Sequence, residues 1–200
     1  LDFDEWRQQG CDGWSYEDVL PYFLRAEGYP GAKDRYHNKD GPLGVGDPLA
    51  TLPICEAFIR AGEELGIPRN HDFNGDKQDG LGYYQLTQRD ARRSSVVTAY
   101  LKSAMARPNL TVRRDVFVSR IIIESGRATA VEVEGATGSE RLAADREIVV
   151  SSGAVGSPRL LMLSGIGPAD HLKSVGIAPV HDLPGVGSNL QDHLDLFVIS

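Results

Sequence analysis

The sequence has few cysteines. Its 200 residues include two, Cys11 and Cys55, with no CxxC pair and no spacing typical of metal ligands. Two isolated thiols argue against a disulfide framework and are typical of a reducing compartment. On that basis we expect the protein to be cytoplasmic.

Long apolar and basic runs are also absent. The longest apolar runs, at 148–150 and 160–163, are far shorter than the roughly 20 residues of a membrane-spanning helix. The net charge is −7, and no run of five or more lysines and arginines occurs. Nucleic-acid binders carry a clustered basic footprint, which is missing here. We expect neither a membrane span nor a nucleic-acid partner.

The two ends carry no start or targeting signal. The chain opens on LDFD, with no Met, no basic stretch and no apolar segment behind it, and it closes on VIS in a pattern typical of a strand. We therefore expect an interior piece of a longer protein.

The first half is rich in turn residues, which leave room for a few helices. A hydroxyl and a carboxylate spaced as a capping box, Ser15 and Asp18, predict a helix start, and Pro21 predicts that two short helical pieces follow up to about Glu27. Glycines and prolines predict surface loop over 28–52. Apolar residues at helical spacing then predict an amphipathic helix that starts at Pro53 and ends before Gly66, with an apolar stripe of Ile54, Ala57, Phe58, Ala61 and Leu65.

The second half has a different texture. Ser94 or Ser95 can cap a helix that runs to about Met105. From residue 110 the β-branched density rises and predicts a β-meander with a turn at Gly126 and a further strand over 147–151. The whole is therefore a mixed α/β chain.

One segment carries chemical information. The apolar strand at 148–150 runs into four small residues, after which Ser157 can cap a helix whose first position is Pro158. In open α/β sheets ligands lie beyond the carboxyl ends of strands, and small residues let a bulky cofactor approach the backbone. A plain strand-to-helix connection has the same pattern.

The same segment, GAVGSPRLLMLSGIG at 153–167, resembles the second signature of the glucose-methanol-choline (GMC) flavoprotein oxidoreductases. Further segments are similar to this family, and to its choline-dehydrogenase-like branch in particular: GWSYEDVLPYF at 13–23, DGPL at 40–43, DFNG at 72–75, RRSS at 92–95, AYL at 99–101, RPNLTV at 107–112 and LPGVGSNLQDH at 183–193. In order and spacing these segments cover nearly the whole chain.

The resemblance implies an FAD enzyme that oxidises the CH–OH group of a small-molecule alcohol by hydride transfer to the flavin. It implies part of an FAD-binding Rossmann-like domain and part of a GMC substrate or cap domain. Residues 1–89 would belong to the cap and substrate-domain segment, 90–186 to the FAD-binding domain, and 187–200 to the point where the chain re-enters the substrate domain.

The resemblance also assigns cofactor-binding positions. Val118 matches the strand position whose backbone contacts the adenine, and Ser152, Gly153 and Ala154 match the small-residue turn beside the adenosine half of FAD. The family's G-x-G-x-x-G fingerprint and its C-terminal catalytic histidine pair have no match here, so no catalytic residue is assigned. The remainder of the same polypeptide would supply both. A truncated, non-catalytic binding or scaffolding homologue is the alternative.

Three further groups allow two interpretations each. Tyr83, Tyr84, Gln85 and Gln88 could line a substrate entrance or pack at a sheet edge. The adjacent arginines at 92–93 could hold a cofactor phosphate or form a solvated face. For His193, in a motif at a domain junction, we expect a structural hydrogen-bonding role.

Overall fold

The computed structural model describes residues 2–136 and 138–196. The chain divides into two compact units, Leu1–Val112 and Arg113–Ser200. The domain division predicted at 89/90 and 186/187 concerns the domains of the longer protein and stays a prediction. The last four residues of the predicted segment 187–200 lie outside the described residues.

The first unit opens with two helices, α1 (Asp2–Gln8) and α2 (Tyr16–Ala26). The capping box is confirmed, because Ser15 Oγ accepts from the Asp18 N–H and Asp18 Oδ2 accepts from the Ser15 N–H. The expected break at Pro21 was wrong: α2 is one helix with the proline inside it. A proline removes a single hydrogen bond, here to the carbonyl of Glu17, and a helix with a fixed start tolerates that loss.

The loop predicted over 28–52 is confirmed apart from two short strands. Strands β1 (Glu27–Gly28) and β2 (Leu43–Gly44) pair in parallel. Helix α3 (Pro53–Glu64) follows as predicted, with Pro53 in its first turn.

The buried face of α3 differs from the predicted one. Ile54 and Phe58 are 63% and 60% exposed, whereas Ile59 and Gly62 are buried. The glycine explains the difference, because the Leu81 side chain packs into the space that a Cβ at position 62 would occupy. The helix face with Gly62 is therefore buried against Leu81, and the face with Ile54 and Phe58 stays exposed.

The first unit ends with a hairpin and a short helix. Strands β3 (Gln88–Arg89) and β4 (Arg92–Arg93) pair antiparallel around a turn in which Asp90 and Ala91 both have positive φ, 51° and 59°. A π-helical turn, Val97–Leu101, leads into α4 (Lys102–Ala104). Ser95 provides the predicted cap, since its Oγ accepts from the Thr98 N–H.

The second unit contains the predicted β-meander. Strands β5 (Phe117–Glu124), β6 (Arg127–Gly135) and β7 (Gly138–Ala143) form an antiparallel sheet in that order. The turn at Gly126 is confirmed, with positive φ at Ser125 and Gly126. The core of this unit consists of small and branched apolar side chains, namely Ile121, Ala130, Val133, Leu160 and Leu172.

The remaining elements of the second unit are helix α5 (Gly153–Leu163), strand β8 (Ile166–Gly167), helix α6 (Ala169–Ser174) and strand β9 (His181–Asp182). Strands β8 and β9 pair in parallel. Gly165 and Gly176, both with positive φ, follow the ends of α5 and α6.

Two expectations around α5 were wrong. The segment 147–151 is not a strand, because no described segment runs beside it to complete a ladder, and Val149 is 80% exposed. Helix α5 begins at Gly153 rather than at Pro158. The positive φ of Gly153, +80°, lets the chain turn into the helix five residues earlier, and Pro158 then forgoes one hydrogen bond to the Ala154 carbonyl.

None of the helices in the described residues is long and apolar enough to cross a membrane.

Candidate functional site

The start of α5 is an open, small-residue surface. Ser152, Gly153 and Ala154 are all exposed, and a Cβ placed on Gly153 would meet no atom within 4 Å. The Ser152 side chain makes no capping hydrogen bond; its backbone N–H donates to Ser157 Oγ at 3.0 Å. The first N–H groups of a helix have no intrahelical acceptor, so this end of α5 offers donors to a ligand.

Val118 lies near the start of β5, an edge strand of the described three-stranded sheet. It pairs with Val133, and its side chain is 37% exposed. The register shifts between Val118 and Arg120, so that Ser119 is an extra residue on this strand. Such a bulge changes the direction in which neighbouring peptide groups point.

Two contacts hold α5 against β5. The Arg159 guanidinium lies over the Phe117 ring, with its carbon 5.4 Å from the ring centroid. At the other end, the Ile121 N–H donates to Ser164 Oγ at 2.8 Å, and that hydroxyl donates to the Leu160 carbonyl at 2.6 Å. The structure therefore brings together the two elements that carry all four predicted cofactor-binding residues.

These residues leave room for a bulky ligand such as a dinucleotide cofactor. The space beside Gly153 admits a bulky group, the uncapped helix start favours an anionic one, and Val118 is exposed on an open edge.

A second polar cluster lies in the first unit around His37. Its Nδ1 lies 3.0 Å from Glu27 Oε1, and its Nε2 lies 2.9 Å from Asp72 Oδ2. The ring is buried, with 4% of the side chain exposed. Burial works to lower the pKa of His37, but the hydrogen bond to Glu27 and the charges of Glu27, Asp72 and Asp34 outweigh it, so the pKa is raised from its ordinary value.

His37 also lines a polar cavity of about 500 Å³. Its wall includes acidic, basic and aromatic side chains, among them Tyr29, Asp47, Arg69, Asp72 and Tyr83. Tyr29 Oη donates to Asp47 Oδ1 at 3.0 Å, and Arg69 forms ion pairs with Glu56 and Glu63. Glu56 and Glu63 thus balance the charge of the Arg69 guanidinium.

The polar and aromatic group at 83–88 separates in space. Tyr83 lines the cavity, whereas Tyr84 is 67% exposed and packs against Phe73. The amides of Gln85 and Gln88 donate to the carbonyls of His71 and Asp47. Of the four, Tyr83 is the one that the structure places on a cavity wall.

Three positions that matter to these sites were missed from the sequence. Nothing in the local sequence marks Ser164 as the residue that joins α5 to β5. Glu27 and Asp72 are separated from His37 by 10 and 35 positions, and no periodicity links them.

His193, for which a structural role was expected, has a backbone N–H that donates to Asp192 Oδ1 at 2.9 Å, and the role of its ring stays a prediction.

Comparison with known proteins shows which protein family the chain belongs to. A family model described as GMC oxidoreductase matches residues 1–195. The chain belongs to the GMC oxidoreductase family. The expected resemblance is thereby confirmed, as are the mixed α/β class and FAD as the family's cofactor.

Relatives of this GMC oxidoreductase chain include the oxygen-dependent choline dehydrogenase of Photobacterium profundum, which is 46% identical over 98% of this chain and 35% of its own length. Among solved structures, pyridoxine 4-oxidase from Mesorbium loti is 38% identical with a TM-score of 0.85, covering 92% of this chain and 36% of that one. A formate oxidase of Aspergillus oryzae RIB40 is 28% identical with a TM-score of 0.84, covering 96% and 34%. The chain thus spans about a third of the length of the relatives it matches.

Proposed function

We propose that the intact protein oxidises the CH–OH group of a small-molecule alcohol, as its choline dehydrogenase relatives' names indicate for those proteins, and that this chain supplies part of its FAD site. The observation that carries the proposal is the open start of α5 held beside the edge strand β5. FAD, when bound, accepts the hydride that leaves the alcohol carbon, while the hydroxyl proton goes to a base and a carbonyl product forms.

The contribution of this chain is binding and orientation. The uncapped N–H groups at the start of α5 would donate to the cofactor, and Gly153 would leave the space that the cofactor fills. Ser164 would fix the position of α5 relative to β5, because its buried hydroxyl forms hydrogen bonds with both elements. No residue of the chain is assigned as the catalytic base, and we propose that the remainder of the same polypeptide supplies it.

The bulge at Ser119 accounts for the role proposed for Val118. The Ile121 N–H leaves the sheet to reach Ser164, so the peptide groups of Arg120 face β6. A bulge changes the direction in which the peptide groups beside its extra residue point. On this proposal the peptide groups of Val118 face the open edge of the described sheet, where they would bond to the adenine.

Flavin occupancy of the intact protein tests this assignment. Gly153→Val should lower the bound FAD at least about tenfold, because the side chain fills the open space and the positive φ disfavours it. Val118→Ala should leave occupancy nearly unchanged, since the proposed contact is made by the backbone. The readout is the flavin absorbance per protein after gel filtration.

Gly126→Val is the matched control for backbone strain. Gly126 has a similar φ, +77°, and equally open space, but it lies in the β5–β6 hairpin turn. It should cost stability without lowering flavin occupancy. Equal loss of flavin in the two glycine variants, or retention in both, would contradict the placement, and an intact protein that binds no flavin would favour the non-catalytic homologue instead.

A further inference from the structure

The β3–β4 hairpin in the first unit gathers three arginines around one cavity. Arg89, Arg92 and Arg93 line a space of about 430 Å³, together with Pro42, Asp90, Ser94 and Thr98. Three cations and one carboxylate make this wall cationic in a chain whose net charge is −7. The cavity shares no lining residue with the cavity around His37 or with the start of α5.

The arginine charges are not balanced within the described residues. Arg89 and Arg92 are direct cross-strand partners, and like charges in that position destabilise a hairpin. Within the described ranges, no carboxylate, including that of Asp90, lies within ion-pair distance of Arg89, Arg92 or Arg93. Arg89 does donate to the Gly41 carbonyl at 3.3 Å, which fixes the side chain without neutralising it.

A buried hydroxyl adds a directed donor to the same wall. Ser94 is 8% exposed, and its Oγ accepts from the Gly44 N–H at 2.8 Å. Its own proton donates to no acceptor among the residues that the structure describes. A buried hydroxyl normally finds an acceptor, so this one is available to a ligand.

We propose that this cavity binds a phosphate-type oxyanion. Planar guanidinium forks and a hydroxyl match the several acceptor oxygens of a phosphate group, and a dianion between Arg89 and Arg92 would turn a repulsion into a bridge. The group could be free phosphate or the phosphate of an ester, which share this chemistry. The proposal does not depend on the alcohol-oxidising activity.

Titration with inorganic phosphate tests the proposal on the intact protein. Isothermal titration at constant ionic strength should show saturable binding, and Arg92→Gln with Arg93→Gln should weaken it at least about tenfold. Arg107→Gln, which removes an exposed arginine elsewhere in the same unit, should leave binding unchanged. Asp90→Asn should strengthen binding, because it removes the one carboxylate from the wall.

Each result has a defined meaning. Saturable binding that the double variant loses and Arg107→Gln keeps supports the site, whereas no saturable binding, or equal weakening by Arg107→Gln, overturns it. The same titration with a phosphate monoester, glycerol 3-phosphate, separates the two sources. Tighter binding of the ester indicates a phosphate-ester ligand, and tighter binding of inorganic phosphate indicates free phosphate.

Discussion

At the scale of single residues, Ser164 and His37 show what tertiary structure adds to a sequence. The buried Ser164 hydroxyl bonds to Ile121 on another element. His37 is one of five histidines in the sequence, and it lies between two carboxylates. Both roles depend on residues far away in sequence, and periodicity reports only near neighbours.

Ser164→Ala should weaken the junction of α5 with β5. The substitution leaves the Ile121 N–H buried without an acceptor, a loss of about 1–3 kcal/mol. We expect faster amide hydrogen exchange at Ile121. The matched variant Ser174→Ala removes an exposed hydroxyl that donates to the His171 carbonyl, and it should leave that exchange rate unchanged.

His37 should make the first unit more stable at low pH than at high pH. Its pKa is raised in the folded protein, so the stabilisation is fully present below the unfolded pKa and is lost as pH rises through the folded value. His37→Gln should therefore cost more stability near pH 6 than near pH 9, measured by urea unfolding. A cost of His37→Gln that does not change with pH would contradict the ion pairs of His37 with Glu27 and Asp72.

At the scale of elements, several local signals predicted the right element, whereas the helix break expected at Pro21 and the helix start expected at Pro158 were wrong. The capping box, α3 and the meander followed from spacing and turn chemistry. The buried face of α3 did not, because Leu81 packs against Gly62 from a loop. The strand expected at 147–151 lacks a described neighbour, and the start of α5 depends on the positive φ of Gly153, which spacing does not show.

Ser15→Ala should destabilise the first turn of α2. Loss of the cap is expected to cost about 1 kcal/mol, which corresponds to roughly a fivefold faster amide exchange at Asp18 and Val19. Ser139→Ala, at an exposed position of β7, is the control and should leave α2 unchanged. An unchanged rate at Asp18 in Ser15→Ala would show that the Asp18 carboxylate alone holds the turn.

At the scale of the whole molecule, the candidate FAD site came from the family motif, while the geometry supplied its supports. The four cofactor positions were assigned by resemblance, and their roles stay predictions. The pairing of α5 with β5 and the bulge at Ser119 followed only from the folded chain. The sequence suggested a phosphate role for Arg92 and Arg93, and the folded chain added Arg89 and Ser94 to the same cavity.

The intact mass of the natural gene product tests the proposed function at this scale. We expect a mass well above the 21.8 kDa of this chain, with about one FAD per protein, because the relatives are about three times as long. Native mass spectrometry measures both quantities at once. A mass of 21.8 kDa with no flavin would instead favour the non-catalytic homologue.

The bare stripe of α3 also governs how this chain behaves in concentrated solution. Three apolar side chains are exposed there, namely Ile54 at 63%, Phe58 at 60% and Leu65 at 82%. The chain that carries them has a net charge of −7. At low ionic strength the negative net charge makes copies of the chain repel one another. Added salt screens this repulsion but does not weaken the hydrophobic attraction between exposed apolar side chains. Colloidal stability should therefore fall with added salt, and Phe58→Lys should restore it.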